Sequence, residues 1–294
     1  MQAEILEKYK RAGAIAAKVK NDVLGRIKVD MSLLELANFI EQKIREYGGQ
    51  PAFPVNISID DVAAHDTPAW NDMRKIPENA LVKIDIGVHV DGYIGDLAFT
   101  WCSKPNPIIN TAEDVLNAAI SVIRPEITIS DISVVIEEKA KESGYGVITN
   151  LTGHGLEQYE FHASPNIPNV KNDIDYKLKK GDVIALEPFL TESNGYVKES
   201  GKSEIFRFLQ DRPVRMLEAR KILQMARETW HGLPFAKRWL SSFSPLKIAL
   251  AIKQLEDANA IESFPVLKEI SGKPIAQAEH TIVVLEKPLV ITYG

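Results

Sequence analysis

Five residues spread along the chain are of the types that hold metal ions: Asp85, Asp96, His154, Glu187 and Glu279. The first two lie in "VKIDIGVHVDGYIGD" (82–96), which alternates apolar residues, turns at Asp91-Gly92 and alternates again. That pattern predicts a β-hairpin closed by a two-residue turn. Val90 then pairs with Tyr93, Gly87 with Asp96 and Asp85 with Ala98. Asp85 and Asp96 become diagonal neighbours on one face, with Cβ atoms ~7 Å apart. The residues opposite them, Gly87 and Ala98, are small and leave room between the acids. Such a pair either lies on a solvated sheet face or holds a cation. Without a cation, like charges so close raise a pKa or destabilise the fold.

Three further stretches tip the balance. "LTGHGLEQYEFH" puts His154 between glycines just after an apolar strand. "DVIALEPF" puts Glu187 inside an apolar strand, before Pro188, and "AQAEHTIVVLE" puts Glu279 at the head of another, beside His280. Taken singly, a strand glutamate is more often an edge or surface residue. Together, four carboxylates and one imidazole suit a pair of Mn²⁺, Fe²⁺, Co²⁺ or Zn²⁺ ions ~3.5–4 Å apart, a site for hydrolysis.

This ordered set, with "AAHDTP" upstream and "GHGLEQYEFH" in the middle, closely resembles the methionine aminopeptidases of the pita-bread (creatinase/aminopeptidase) fold. The resemblance runs from about residue 3 to the end. A long stretch, 212–263, separates Glu187 from Glu279, which is the mark of type II members. With no long basic N-terminal extension, the chain is archaeal in style. The resemblance implies two divalent metals, bridged by Asp96 and Glu279, with Asp85 on one ion and His154 and Glu187 on the other. It implies that Glu187 also accepts and shuttles the proton, that His65 contacts the scissile amide, and that His162 steadies the carbonyl oxygen. Phe53 and Phe161 align with positions lining the methionine side-chain pocket. Without such neighbours, either histidine would read as a satisfied core or surface residue, and either phenylalanine as ordinary core. The implied activity is removal of the N-terminal methionine from nascent proteins and peptides whose second residue is small.

Three rival readings are weaker. Xaa-Pro aminopeptidases and prolidases share all five ligands but usually carry a sizeable extra N-terminal domain, whereas the first ligand here stands at residue 85. Non-catalytic pita-bread proteins typically lose ligands, and none is missing here. An unrelated two-metal phosphatase would call for a phosphate-cradling loop, and none is visible.

The elements that must position these residues read as α+β: an antiparallel sheet with covering helix pairs. Helices are expected at 3–20, 32–47 (Ser32 and Glu35 in capping-box spacing), 111–124 (Thr111 as N-cap) and 130–143. Besides the hairpin 81–101 and a short apolar stretch at 53–64, strand-like runs lie at 146–151, 183–190, 204–209, 278–286 and 288–293. Residues 212–263 read as three helices broken at Pro234 and Pro245. The expected division is a pita-bread catalytic domain, 1–200 and 272–294, with an inserted helical, winged-helix-like subdomain at 201–271. The stretch 212–263 carries nine Lys/Arg against five Asp/Glu, a surplus of four, so the rest of a chain of net charge −5 carries −9. With no readable motif beside that mild excess, a solvated structural insert is favoured over a nucleic-acid or ribosome contact.

Composition sets the outer bounds. The 294 residues are 45% hydrophobic and 26% charged, as in an ordinary globular protein. A net charge of −5 argues against a whole-chain polyanion binder. The single cysteine, Cys102, excludes an intrachain disulfide and fits a reducing cytosol. "MQAEILEKYKRAG" has no apolar signal core, Gln2 excludes N-myristoylation, and no window approaches the ~18 apolar residues of a membrane span. The expectation is a cytoplasmic monomer acting on the N-termini of nascent polypeptides, which emerge at the ribosome, with no membrane and no direct nucleic-acid partner.

Overall fold

The computed structural model describes residues 1–293. Helices α1 (Ala3–Leu24) and α2 (Leu33–Glu46) come first, then β1 (Gln50–Pro51), β2 (Asn56–Ile59) and β3 (Val62–Ala64). The hairpin β4 (Val82–Val90) and β5 (Tyr93–Trp101) leads to α3 (Pro107–Val122) and α4 (Ile129–Glu142). There follow β6 (Gly146–Val147), β7 (Thr152–Glu157), β8 (Glu160–Pro168), β9 (Val183–Leu186), β10 (Phe189–Thr191) and the long β11 (Val197–Phe208). The chain then forms α5 (Leu217–Glu228), β12 (Phe235–Ala236), a 3₁₀ turn at Lys237–Leu240, α6 (Pro245–Asp257) and β13 (Ile261–Glu269). It closes with β14 (Ala276–Gln277), β15 (His280–Val283) and β16 (Leu289–Val290).

Every ladder between these strands is antiparallel. Each helix pair covers sheet on one side. The apolar faces of α1 and α2, such as Ala16, Val19, Leu36 and Ile40, share a core with Ile84, Ile86 and Leu97 of the β4–β5 hairpin. Those of α3 and α4, such as Val115 and Ile132, share another with Ile184, Leu190 and Ala276. The α+β, pita-bread reading thus describes the architecture. Among the described residues, no helix is long and apolar enough to cross a membrane.

Three local expectations change. Helix α3 starts earlier than Thr111: Asn106 is its N-cap, accepting from Ile108 N at 3.3 Å, and Pro107 is its first residue. Proline fits there because the first helical N–H needs no partner, while Thr111 merely donates back to Pro107 O at 3.0 Å. The expected box on α2 is half made. Ser32 Oγ accepts from Glu35 N at 3.4 Å, but the Glu35 carboxylate pairs with Arg26 instead. Residues 212–263 hold two α-helices rather than three, because Pro234 leads into β12 and Pro245 opens α6.

Residues 206–261 enclose a core of their own, in which Trp230 stacks on Phe235 with ring centroids 4.6 Å apart. They are nonetheless stitched to the rest. Strand β11 runs through the expected boundary at 200/201, and β13 pairs both with β11 and, at Leu267–Ala64, with β3. Arg238, on the 3₁₀ turn, forms an ion pair with Glu41 of α2 in which both side chains are 4% exposed. Trp239 Nε1 donates to the other Glu41 oxygen at 2.8 Å. Removing one partner of such a pair strands a buried charge, at a cost of about 3–5 kcal/mol. Glu41→Leu should therefore lower the unfolding free energy by about that much in a denaturant titration. Glu7→Gln, which only breaks the exposed pair with Lys10, should leave it unchanged within error.

Candidate metal centre

The hairpin has the register that its sequence predicts: Val90 faces Tyr93, Gly87 faces Asp96 and Asp85 faces Ala98. Asp85 and Asp96 therefore share a face. On the neighbouring strand β2, Asn56 pairs with Asp85 in register, and its Nδ2 donates to Asp85 Oδ2 at 3.4 Å. The space beside Gly87 is not left for a cation. A Cβ there would overlap the Phe53 ring, so the glycine makes room for an aromatic side chain.

His154 lies within β7, paired with Ala185 of β9. Its flanking glycines serve backbone packing rather than ligand access: a Cβ on Gly153 would meet Ala185 O, and one on Gly155 would meet Ser164 O. Glu187 is not inside a strand but in the break between β9 and β10, before Pro188. Glu279 stands just ahead of β15, and its N–H donates to Ala98 O at 2.9 Å. Two threonines fasten that same segment to β5. Thr281 Oγ1 accepts from Asp96 N at 2.7 Å and donates to Asp96 O at 2.8 Å. Thr100 Oγ1 does likewise to Gln277, accepting from N at 2.8 Å and donating to O at 2.7 Å.

These strands bring the five residues to one point. Ligand atoms of Asp96, His154 and Glu279 all lie within 4.8 Å of one another. His154 Nε2 is 3.6 Å from Glu187 Oε1 and 4.0 Å from Asp96 Oδ2. Gln277 Nε2 reaches both Glu187 Oε2, at 3.3 Å, and Glu279 Oε2, at 3.4 Å. Burial raises the Asp85 carboxyl to about 7. Burial first, and then the charge of neighbouring carboxylates, pushes Asp96, Glu187 and Glu279 well above the usual range. Burial also pulls His154 down to about 4, so its imidazole is neutral at pH 7 and free to act as a ligand.

All five line one cavity of about 310 Å³, which His65, His162, Phe53, Phe161 and Phe264 also line. His65 has a left-handed backbone, φ 63°, and its Nδ1 lies 3.2 Å from Pro265 O. A carbonyl partner fixes Nδ1 as the protonated nitrogen and leaves Nε2 an acceptor. His162 packs on Phe161 and His154, with centroids 3.9 and 4.5 Å away. Burial, helped by His154, His65 and Arg207, lowers it to about 2.

The donor set fits a divalent cation. Asp85 Oδ1, Asp96 Oδ1 and Glu279 Oε1 are buried with no hydrogen-bond partner, and a buried carboxylate oxygen without a donor is costly unless a cation meets it. Hard oxygen ligands with one imidazole are the mix that first-row divalent ions take. Residues 7–238 match metallopeptidase family M24. The chain belongs to that family.

Relatives similar over nearly the full length agree. A methionine aminopeptidase of Thermococcus onnurineus is 46% identical over 96% of this chain and 97% of its own. One from Methanocaldococcus jannaschii is 40% identical over 99% of both. Among solved structures, a thermophilic Arx1 superposes with a TM-score of 0.88 at 16% identity, over 100% of this chain and 92% of that one. A Thermotoga maritima methionine aminopeptidase does so with 0.71 at 21% identity, over 100% and 98%. At such identities these two speak for the fold alone.

Several residues that shape this M24 site are absent from the sequence reading: Asn56, Gln277, Thr100, Thr281 and Lys83. Lys83, 1% exposed, donates to Asp60 O and Ile275 O at 2.9 and 3.0 Å. Only its place in an apolar strand, two residues before Asp85, signals anything, as an amine there must find acceptors.

The raised carboxyls predict how a metal is taken up. His154 is already neutral near pH 7, so protons displaced on binding come from the carboxyls. Titrating Mn²⁺ into metal-free protein at pH 7 should release protons, seen as a dependence of calorimetric heat on buffer ionisation enthalpy. Affinity should rise with pH through the neutral range, because the competing protons leave as pH rises.

Proposed function

We propose that this chain removes the N-terminal methionine from polypeptides with a small second residue, using a pair of divalent ions. The observation that carries this reading is one cavity in which four carboxylates, those of Asp96 and Glu279 buried, and a buried neutral imidazole face apolar aromatic walls, in a chain nearly half identical over its length to a methionine aminopeptidase. Four carboxylates would carry four negative charges when ionised, which two divalent cations neutralise. Asp85, Asp96, His154, Glu187 and Glu279 would hold the two ions. Such ions acidify water and polarise a carbonyl.

The chain's own residues supply the rest. Glu187, raised by burial and by Asp85 and held by Gln277, is suited to take up and return a proton at Oε1. His162, neutral at pH 7, can donate one N–H to a developing oxyanion. His65, with Nδ1 tied to Pro265 O, presents Nε2 to accept from the scissile amide N–H. Phe53 and Phe161, with rings 6.1 Å apart, would flank the methionine side chain. Residues 201–271 form an inserted subdomain in this reading. The protein would work as a cytoplasmic monomer on nascent chains.

Met-Ala-Ser should be cleaved after reconstitution of metal-free protein with Mn²⁺, Fe²⁺, Co²⁺ or Zn²⁺ in turn, and faster than an Xaa-Pro peptide. Faster release next to proline would overturn the substrate assignment. Asp96→Asn should lower activity by a factor of a thousand or more while circular dichroism stays native, and an active variant would defeat its role as a ligand.

A further inference from the structure

Something must hold His65 in its left-handed conformation, which side chains with a Cβ disfavour. The residues that grip it come largely from the 201–271 stretch. Ahead of it, Ala64 pairs with Leu267 of β13. At His65 itself, Pro265 O accepts from Nδ1 at 3.2 Å and the Phe264 ring stands edge-on, with centroids 5.5 Å apart. Behind it, Arg238 Nη1 donates to Thr67 Oγ1 at 2.6 Å and to Pro68 O at 3.2 Å. Thr67 Oγ1 in turn donates to Val55 O at 2.8 Å. Arg238 is fixed in turn by its buried ion pair with Glu41.

We propose that Arg238 is a positioning residue for His65, and that the insert serves the reaction by clamping the His65 loop against the cavity. The proposal rests on the reading of His65 as a substrate contact. A buried ion pair that only stabilised the fold would shift Tm and leave turnover by the folded protein alone. The clamp instead predicts a loss that passes through His65.

The test is a kinetic double-mutant cycle on the Mn²⁺-loaded full-length protein with Met-Ala-Ser. Glu41→Gln with Arg238→Met neutralises both partners, so no buried charge is stranded. Thr67→Val removes one hydroxyl and nearly keeps its shape, which covers the case in which the paired variant does not fold. Each should lower kcat/KM at least tenfold, mainly through kcat, with bound metal unchanged by elemental analysis. In a His65→Ala background, the same substitutions should cost less than twofold. An equal loss in that background, or full activity of Thr67→Val, overturns the clamp. Full activity of His65→Ala alone would instead remove the reading of His65, and the clamp with it.

Discussion

Four carboxyl groups converge in the interior of this protein, and the rest of the structure answers to their mutual repulsion. Two like charges ~4 Å apart repel by about 4 kcal/mol at an effective dielectric of about 20, and ligand oxygens of Asp96 and Glu279 lie within 4.8 Å of each other. Protons or cations must offset that repulsion and the cost of burial: burial raises all four carboxyls, and neighbouring carboxylates add to the rise at Asp96, Glu187 and Glu279. The scaffold must also stop the groups from turning away toward water. Three of the four project from or beside paired strands, and Glu187 from the break between two.

The hardest part of that task is joining chain segments far apart in sequence. Segment 275–281 is fastened to the hairpin by groups that each serve twice. Thr100 and Thr281 donate and accept with one hydroxyl, and Gln277 offers one amide nitrogen to two glutamates. Lys83 bridges two carbonyls where an aliphatic residue would have packed as well but held nothing. Such partners are paired on every side, and that satisfaction makes buried polar groups rigid instead of merely costly.

What the sequence discloses follows the range of the interaction. The β4–β5 register is legible because alternation and an Asp-Gly turn are local and leave one solution. The start of α3 is equally local, in Asn106-Pro107, four residues before the Thr111 that the sequence also offers as a cap. Residues 212–263 differ from the three helices expected for another reason. Prolines at 234 and 245 punctuate the chain without saying whether a strand or a helix comes next, and β13 contains a proline itself. Asp85 and Asp96 are conspicuous as carboxylates in apolar strands, while His154, Glu187 and Glu279 gain meaning only beside them. Gly87 and the glycines beside His154 were legible as small, but not what fills the space, since Phe53, Ala185 and Ser164 arrive from elsewhere. Gln277 and Arg238 look like ordinary polar residues until their partners are known.

The stretch 201–271 shows why a boundary drawn on sequence character need not be a boundary in mechanics. Its helices enclose a separate core, yet β11 and β13 extend from it as one antiparallel ribbon toward the cavity, and Ile205, Pro234, Phe264 and Leu267 line that cavity beside the carboxylates. The cavity therefore has a polar wall made by residues 85–187 and 279 and an apolar wall made partly by residues 205–267. The two walls are under different constraints. Moving a carboxylate by an ångström changes the electrostatic balance, whereas an apolar wall tolerates a change of side-chain volume at the cost of repacking. Substitutions at Ile205, Pro234, Phe264 and Leu267 can thus reshape the cavity while the cluster of Asp85, Asp96, His154, Glu187 and Glu279 stays as it is.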